Sequence, residues 1–169
     1  MHVQAFVYIS QNSRLPAKRV LEIGSRNING SIRAIFPNAD YVGIDREPGR
    51  GVDVVADGAT YMPPWSPDLI ITCETLEHAE NWREVLTHLA QIIAAGGTLL
   101  ATMATHPRAE HSAVDGGPLP AGEYYGNVDP AELEAHLKRL FASVQVETHR
   151  DRGDLYVRAS GPKRALEGR

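Results

Sequence analysis

The stretch of sequence that decides the fold is VLEIGSRNING, residues 20–30. It starts with an apolar run typical of a buried β-strand, turns at Gly24, and is followed by residues 31–36, which can form a short helix. Glycine adopts positive φ and has no side chain, so such a turn brings backbone N–H groups close to a ligand. We therefore expect a strand, a tight loop and a helix start that together bind a ligand.

A second apolar run, YVGI at residues 41–44, ends in Asp45. An acidic residue at the end of the second strand of such a unit is placed to accept hydrogen bonds from a ribose. The two stretches together predict a cofactor that contains a nucleoside.

The sequence of the loop separates two classes of cofactor. A dinucleotide loop reads G-x-G-x-x-G, but Arg26 stands where its second glycine would fall. Glu22, just before the turn, would repel a pyrophosphate and suits a ligand that carries an ammonium group. A nicotinamide-dependent reductase is therefore the weaker alternative.

The loop resembles the first motif of the class I S-adenosylmethionine-dependent methyltransferases, E/D-x-G-x-G-x-G. Glu22 and Gly24 match this motif, whereas Arg26 and Ile28 replace its later glycines and Gly30 arrives two residues late. Three further blocks follow in the family's order: residues 53–59, residues 67–78 with the ending E-x-L-E-H, and residues 96–103.

The resemblance implies an α/β fold with a single Rossmann-like, doubly wound sheet. This sheet would be mostly parallel and would close with a C-terminal antiparallel hairpin strand. We expect residues 1–159 to form this methyltransferase domain and residues 160–169 to form a disordered tail.

The resemblance also implies the cofactor, S-adenosyl-L-methionine, with S-adenosyl-L-homocysteine as product. Glu22 would neutralise the cofactor's ammonium, Asp45 would bind the ribose, and Asp57 would accept from the adenine amino group. Glu74 and Leu76 would flank the methionine moiety. The remaining expected contacts are Gly24, Ser25, Asn29, Gly30, Arg46, Gly58 and Ala59.

The stretch from residue 106 to residue 128 is rich in glycine and proline and has no apolar period. A loop this long is usually functional or disordered. It follows the fifth strand and leaves at the ligand edge of the sheet, so we expect a substrate lid that is mobile without ligand. His111 is our candidate base, with Tyr125 as a residue that orients the acceptor. The other candidates are His78, His106, Asp115, Glu123 and Tyr124, and a plain surface role for His111 stays open.

A metal site is a weak alternative for the same loop. His106, His111 and Asp115 offer suitable ligand atoms, but a metal site of the family would need acidic ligands elsewhere, so we expect no metal. Cys73 ends an apolar strand without an adjacent base and is expected to be inert.

Patterns outside these blocks predict further elements. Val3, Phe6, Val7 and Ser10 predict an amphipathic helix over residues 2–11 that covers the sheet. Residues 81–95 predict a helix with a capping box between Asn81 and Glu84 and a left-handed glycine end at residues 96–97. Asp129 caps a predicted helix over residues 130–140, and residues 144–148 and 155–159 read as strands.

Composition and sequence patterns limit which classes of partner and which compartment we expect. The net charge of −4 disfavours general nucleic-acid binding, and no apolar run approaches the roughly 20 residues of a membrane span. The one cysteine and the lack of a leader pattern favour the cytoplasm.

The motifs of DNA methyltransferases are absent, so we expect a small-molecule acceptor. A homodimer or a partner subunit would be compatible with this chain. The alternative function is a non-catalytic S-adenosylmethionine-binding module of a larger assembly.

Overall fold

The computed structural model describes residues 2–13 and 17–163. In this part of the chain the strands are β1 (Arg19–Ile23), β2 (Asp40–Asp45), β3 (Val54–Val55), β4 (Leu69–Cys73), β5 (Thr98–Ala104), β6 (Phe141–His149) and β7 (Asp154–Pro162). The α-helices are α1 (Val3–Asn12), α2 (Trp82–Ile92) and α3 (Pro130–Leu140), and single 3-10 turns lie at Arg33–Ile35 and Leu76–His78.

The seven strands form one sheet in the order β3-β2-β1-β4-β5-β7-β6. The first five strands of this order are parallel, whereas β7 is antiparallel to both β5 and β6. The predicted α/β sheet with a closing antiparallel hairpin is therefore confirmed. The chain moves outward from β1 through β2 to β3 and returns to β4 on the other side of β1. The crevice between the carboxyl ends of β1 and β4 is therefore the place where such sheets bind ligands.

Helices cover both faces of the sheet, so its central strands are buried. Every residue of β4 and β5 is buried, as the continuous apolar runs of parallel strands require. On one face α2 and α3 pack against the sheet through Val85, Leu89 and Leu133. On the other face α1 packs together with Ile32 and Phe36.

The predicted buried face of α1 is wrong. The residues that enter the core are Ala5, Tyr8 and Ile9, whereas Val3, Phe6 and Val7 are exposed. Both sets have helical spacing, because apolar residues lie on two sides of this helix. Packing decides between them: the ring of Tyr8 stacks on that of Tyr156, with centroids 4.8 Å apart.

Helix α2 exists where predicted, with Val85, Leu86, Leu89, Ile92 and Ile93 buried, but both predicted caps are wrong. The side chain of Asn81 makes no cap hydrogen bond. The helix ends at Ile92, before the two glycines, and neither glycine has positive φ. The N–H of Gly97 instead closes a turn onto the carbonyl of Ala94 at 2.8 Å.

Helix α3 has the predicted bounds and the predicted N-cap, since Asp129 accepts from the N–H groups of Ala131 and Glu132. The last strand is longer than predicted and runs to Pro162, so the tail that we expected from residue 160 would start inside it. Residues 164–169 lie outside the described residues.

The segment between β5 and α3 contains turns but no helix or strand. It leaves β5 at the carboxyl edge, as expected for the predicted lid. Within the described residues, no helix is long and apolar enough to cross a membrane.

Candidate active site

A cavity of about 730 Å³ opens at the carboxyl edge of the sheet. This volume lies within the range of small-molecule sites, about 300–1,000 Å³. Its walls come from the loops after β1, β2 and β4, from the start of α1, and from the loop over residues 106–128. The expected cofactor residues that line it are Glu22, Gly24, Ser25, Asn29, Gly30, Asp45, Arg46, Asp57, Gly58, Glu74 and Leu76.

The turn at Gly24 owes its shape to close packing. Gly24 has φ of +75°, and a Cβ built on it would lie 2.0 Å from Thr75 Oγ1. The N–H groups of Gly24 and Ser25 donate to the carbonyl of Ile44 at 2.9 and 3.0 Å. These two groups therefore join β1 to β2. Ser25 Oγ is buried and has no hydrogen-bond partner among the described residues.

Glu22 lies in the cavity wall and is almost completely buried, with 5% of its surface exposed. Its Oε2 accepts from Tyr41 Oη at 2.6 Å. Burial raises the pKa of Glu22 to about 7, although the Tyr41 hydroxyl and Arg33 favour the ionised form.

Asp45, at the end of β2, organises two loops. One carboxylate oxygen accepts from the N–H of Arg26 at 3.2 Å and the other from the N–H of Glu47 at 3.0 Å. The carboxylate is therefore fixed at the cavity wall, where a ribose could use its remaining lone pairs.

Asp57 is fixed in a similar way one strand further out. Its Oδ1 accepts from the N–H of Ala59 at 2.8 Å, and its Oδ2 lies 3.9 Å from Arg46 Nε. Ala59 itself lies outside the cavity lining, unlike Asp57 and Gly58.

Glu74, directly after β4, shows two signs of a functional position. It is the one non-glycine residue with positive φ among the described residues, at 54°. Such backbone strain persists where the surroundings impose it, often at ligand sites. Its Oε1 is buried and forms no hydrogen bond with residues 2–13 or 17–163. Its Oε2 lies 3.2 Å from His2 Nε2 and 3.8 Å from Arg108 Nη1.

The charges around Glu74 belong to a network that sequence reasoning missed. Asp154, at the start of β7, is fully buried and pairs with Arg108, with Arg152 at 3.3 Å and with Tyr156 Oη at 3.0 Å. His2 Nε2 lies 3.5 Å from the same carboxylate.

These pairs set the protonation states in the network. Burial opposes ionisation of Glu74, but His2 and Arg108 outweigh it and hold the pKa of Glu74 below its usual value. Glu74 in turn raises the pKa of His2. Residues that lie far apart in the chain meet here, so no local pattern could have indicated them.

Three aromatic rings pack against one another at the cavity. The ring of His78 lies 5.1 Å from that of His111 and 5.3 Å from that of Tyr125, and the last two lie 4.9 Å apart. His78 and His111 line the cavity, whereas Tyr125 does not. Burial and the neighbouring His111 lower the pKa of His78, so its imidazole is neutral near pH 7. Among the described residues, no group forms a hydrogen bond with the buried Nδ1 of His78.

The carboxylate of Glu123 joins two segments of the loop over residues 106–128. Glu123 accepts from Ser112 Oγ at 2.9 Å and from the N–H of Ala113, which ties together two segments of the loop 11 residues apart. Glu123 and Ser112 line the cavity. The other loop candidates, His106, Asp115 and Tyr124, lie outside the lining. Among the described residues, no group of three or more His, Cys, Asp or Glu side chains is arranged to hold a metal ion.

Two more groups near the cavity are chemically unusual. Glu77 is fully buried, and within the described part of the chain neither carboxyl oxygen has a hydrogen-bond partner. Burial, followed by the charge of Glu74, raises its pKa to about 8. Cys73 lines the cavity, but burial raises the pKa of its thiol to about 12, so it is a poor nucleophile.

Comparison with known proteins adds a distant relative. No protein-family model matches the sequence. Trans-aconitate 2-methyltransferase of Methylobacterium radiotolerans is 31% identical over 93 residues, a match that covers 49% of this chain and 36% of that protein. The chain therefore spans little more than a third of the curated relative that it matches.

Solved structures match almost the whole chain. DhpI in complex with S-adenosylhomocysteine has a TM-score of 0.68 at 20% identity, covering 95% of this chain and 86% of that one. The N-methyltransferase NodS from Bradyrhizobium japonicum, also with S-adenosylhomocysteine, has a TM-score of 0.63 at 17% identity, covering 96% and 86%. The chain thus has the class I S-adenosylmethionine-dependent methyltransferase fold, which confirms the expected resemblance at the level of the fold.

Proposed function

We propose that this protein binds S-adenosylmethionine and transfers its methyl group to a small-molecule acceptor. The observation that carries the proposal is a set of acidic side chains in one cavity. Glu22, Asp45, Asp57 and Glu74 lie at or shortly after the carboxyl ends of four strands of a methyltransferase fold and line the same cavity.

The residues present fit this cofactor. An ammonium group requires anionic partners, and Glu22 and Glu74 supply carboxylates, one of which has a buried oxygen without a partner. Asp45 would accept from the ribose hydroxyls and Asp57 from the adenine amino group. Gly24, Ser25, Asn29, Gly30, Arg46, Gly58 and Leu76 would complete the contacts. Ser25 Oγ, buried and unpartnered, is a further group that a bound ligand would satisfy. The same residues do not fit the pyrophosphate of a dinucleotide, since the carboxylates of Glu22 and Glu74 would repel it.

The chemistry requires little from the protein beyond alignment. When bound, the cofactor supplies a methyl group on a sulfonium, and no acid is needed for the departing thioether. The side chains of the cavity orient the acceptor and exclude water, which is where most of the rate enhancement of such a displacement arises. The loop over residues 106–128 would both orient the acceptor and exclude water.

A base is required when the acceptor loses a proton during the attack. His111 is our candidate base, and Tyr125 would orient the acceptor through the ring contact with His111 at 4.9 Å. His78, which the sequence also offers, is a second candidate base. Its neutral ring and unpartnered Nδ1 can accept a proton from a hydroxyl or an amine.

The acceptor side of the cavity favours a small polar molecule. It is lined by His78, Arg108, His111 and Ser112, and its loop is closed by Glu123. The curated relative is named for trans-aconitate, a carboxylic acid, and NodS is named as an N-methyltransferase. We therefore propose that the first acceptors to test are small carboxylic acids and amines.

Calorimetry tests the cofactor. We expect S-adenosylhomocysteine to bind with a dissociation constant in the micromolar range and NAD to bind far more weakly. Equal or stronger binding of NAD would refute the proposal.

Methyl transfer to small acceptors tests the reaction. S-adenosylmethionine with a labelled methyl group is incubated with the acceptor panel. Transfer is measured as label on the acceptor and as release of S-adenosylhomocysteine. His111→Ala should reduce turnover and leave affinity for S-adenosylhomocysteine nearly unchanged. Cofactor binding without transfer to any acceptor of the panel would favour a non-catalytic binding module.

A further inference from the structure

The carboxylate of Glu22 is held in place by a hydrogen bond from Tyr41, a residue of the neighbouring strand β2. Tyr41 Oη donates to Glu22 Oε2 at 2.6 Å, a short hydrogen bond in a buried setting. In the sheet register, Glu22 pairs with Gly43 and Tyr41 pairs with Val20, so the tyrosine reaches Glu22 diagonally. Gly43 has no side chain that could come between them.

Tyr41 is itself fixed by its neighbours. The guanidinium of Arg33 lies over its ring at 4.4 Å, and the ring of Phe36 lies 6.0 Å away. Arg33 donates to the carbonyl of Gly51 at 3.1 Å and pairs with Asp53. The hydroxyl of Tyr41 therefore has one defined position before any ligand arrives.

The hydrogen bond occupies only one oxygen of the carboxylate. Tyr41 donates to Oε2 and not to Oε1, and Glu22 lines the cavity. We propose that Tyr41 is a positioning residue that orients Glu22 toward the ammonium group of the cofactor, and that binding of this ammonium releases a proton from Glu22. This inference depends on the proposed function, because that function supplies the cationic ligand.

The link between cofactor binding and proton release follows from the burial of Glu22 and from the charges around it. Burial raises its pKa to about 7, Tyr41 and Arg33 act in the opposite direction, and Asp53 and Asp45 raise it further. Near pH 7 a substantial fraction of the free protein therefore carries a proton on Glu22. A bound ammonium favours the ionised carboxylate, so binding lowers the pKa and releases this proton. Affinity must then rise as the pH increases through 7 and level off above it.

The experiment compares two ligands that differ in the amino-acid end. S-adenosylhomocysteine carries the ammonium, whereas 5′-methylthioadenosine retains the nucleoside and thioether without it. Binding of both ligands to the wild type and to Tyr41→Phe is measured by calorimetry between pH 6 and pH 8.5. Two buffers with different ionisation enthalpies give the number of protons released. Tyr8→Phe is the matched control, because Tyr8 is buried in the same face of the sheet but does not line the cavity.

We expect Tyr41→Phe to weaken S-adenosylhomocysteine about tenfold or more at pH 7, since a hydrogen bond to a charged group is lost. Binding of 5′-methylthioadenosine should change less than about twofold, as should both ligands with Tyr8→Phe. The variant should also need a higher pH to reach its full affinity, because the group that favours ionised Glu22 is gone. Equal losses for both ligands, or an unshifted pH profile, would overturn the inference.

A second variant covers the case in which Tyr41→Phe does not fold. Glu22→Gln keeps the shape of the side chain but cannot ionise, so the proton released by Glu22 on binding should disappear and the pH dependence between pH 6 and pH 8 should become weaker. A pH dependence and a proton release as large as those of the wild type would overturn the inference. A wild type that binds neither ligand would instead refute the proposed function.

Discussion

Gly24 and Thr75 lie so close that no side chain fits between them. They belong to the loops after β1 and β4, the two strands between which the sheet reverses its order. A Cβ on Gly24 would lie within 3 Å of three Thr75 atoms, at 2.0, 2.5 and 2.8 Å. The contact fixes the distance between the loop of Glu22 and the loop of Glu74, and so the width of the cavity between two carboxylates.

Gly24→Ala should therefore impair both stability and binding. The positive φ of 75° adds backbone strain to the steric overlap. We expect the free energy of unfolding to fall by about 2–4 kcal/mol and binding of S-adenosylhomocysteine to be lost. Denaturant titration and calorimetry measure the two effects. Gly96→Ala is the control, since a Cβ at Gly96 would meet nothing within 4 Å and its φ is ordinary; a Gly24→Ala variant as stable as this control would contradict the interpretation.

Asp45→Ala should weaken S-adenosylhomocysteine about tenfold or more, because a carboxylate that accepts from a ribose is lost. It should also lower the melting temperature, since the N–H groups of Arg26 and Glu47 lose their acceptor. The control is Asp68→Ala, which removes an acceptor for the N–H of Arg19 at the opposite edge of the sheet. It should reduce stability and leave affinity unchanged. If both variants bind equally well, Asp45 is not the ribose ligand.

Glu77→Gln should change how stability depends on pH. The pKa of Glu77 is about 8 in the folded protein, above its usual value near 4.5, so the folded state holds the proton more tightly. The stabilisation is complete below pH 4.5 and is lost as the pH rises to 8. Chemical unfolding between pH 5 and pH 9 should therefore show a decline in the wild type, to which Glu22 also contributes, and a smaller decline in Glu77→Gln. The exposed Glu80→Gln should behave as the wild type, and an identical decline in all three proteins would exclude a buried neutral Glu77.

Glu123→Gln should loosen the loop that covers the cavity. Its carboxylate binds Ser112 Oγ and the N–H of Ala113, and the amide cannot accept at both places. Hydrogen exchange over residues 112–117 should accelerate about tenfold or more, in proportion to the lost hydrogen bonds. In the wild type, cofactor and acceptor together should slow exchange over residues 108–126. Glu110→Gln, an exposed change in the same loop, is the control; exchange that is equally fast in both variants would rule out Glu123 as the residue that closes the loop.

The elements that could be predicted from the sequence are those with a single local solution. Strand β1 ends just before Gly24 as predicted, and helix α3 has the predicted bounds, because an apolar run before a glycine and an Asp-Pro start each allow few alternatives. The predicted position of helix α1 along the chain is correct but its predicted buried face is wrong, since Val3, Phe6 and Val7 have the same spacing as the residues that are buried. Packing against Tyr156, about 150 residues away, decides which face is buried.

The same distinction holds for the candidate site. Glu22, Gly24, Asp45 and Asp57 could be named because each lies in an apolar strand or shortly after one, and all four line the cavity. The pairing of His2 and Arg108 with Glu74 and Asp154 could not be predicted, because it joins four distant segments. The burial of Glu77 could not be predicted either, since a carboxylate is rarely buried without a partner.

The position of β7 has a consequence for the order in which the chain folds. Strand β6 is made before β7, yet its one neighbour in the sheet is β7, which inserts between it and β5. During synthesis the five parallel strands can associate early, whereas β6 has no edge to join until residues up to Pro162 have left the ribosome. Until then β5 presents an open edge of seven buried-type residues to the solvent and to other chains. A chain that stops shortly before residue 154 would therefore leave this edge unpaired and open to pairing with a strand of another chain.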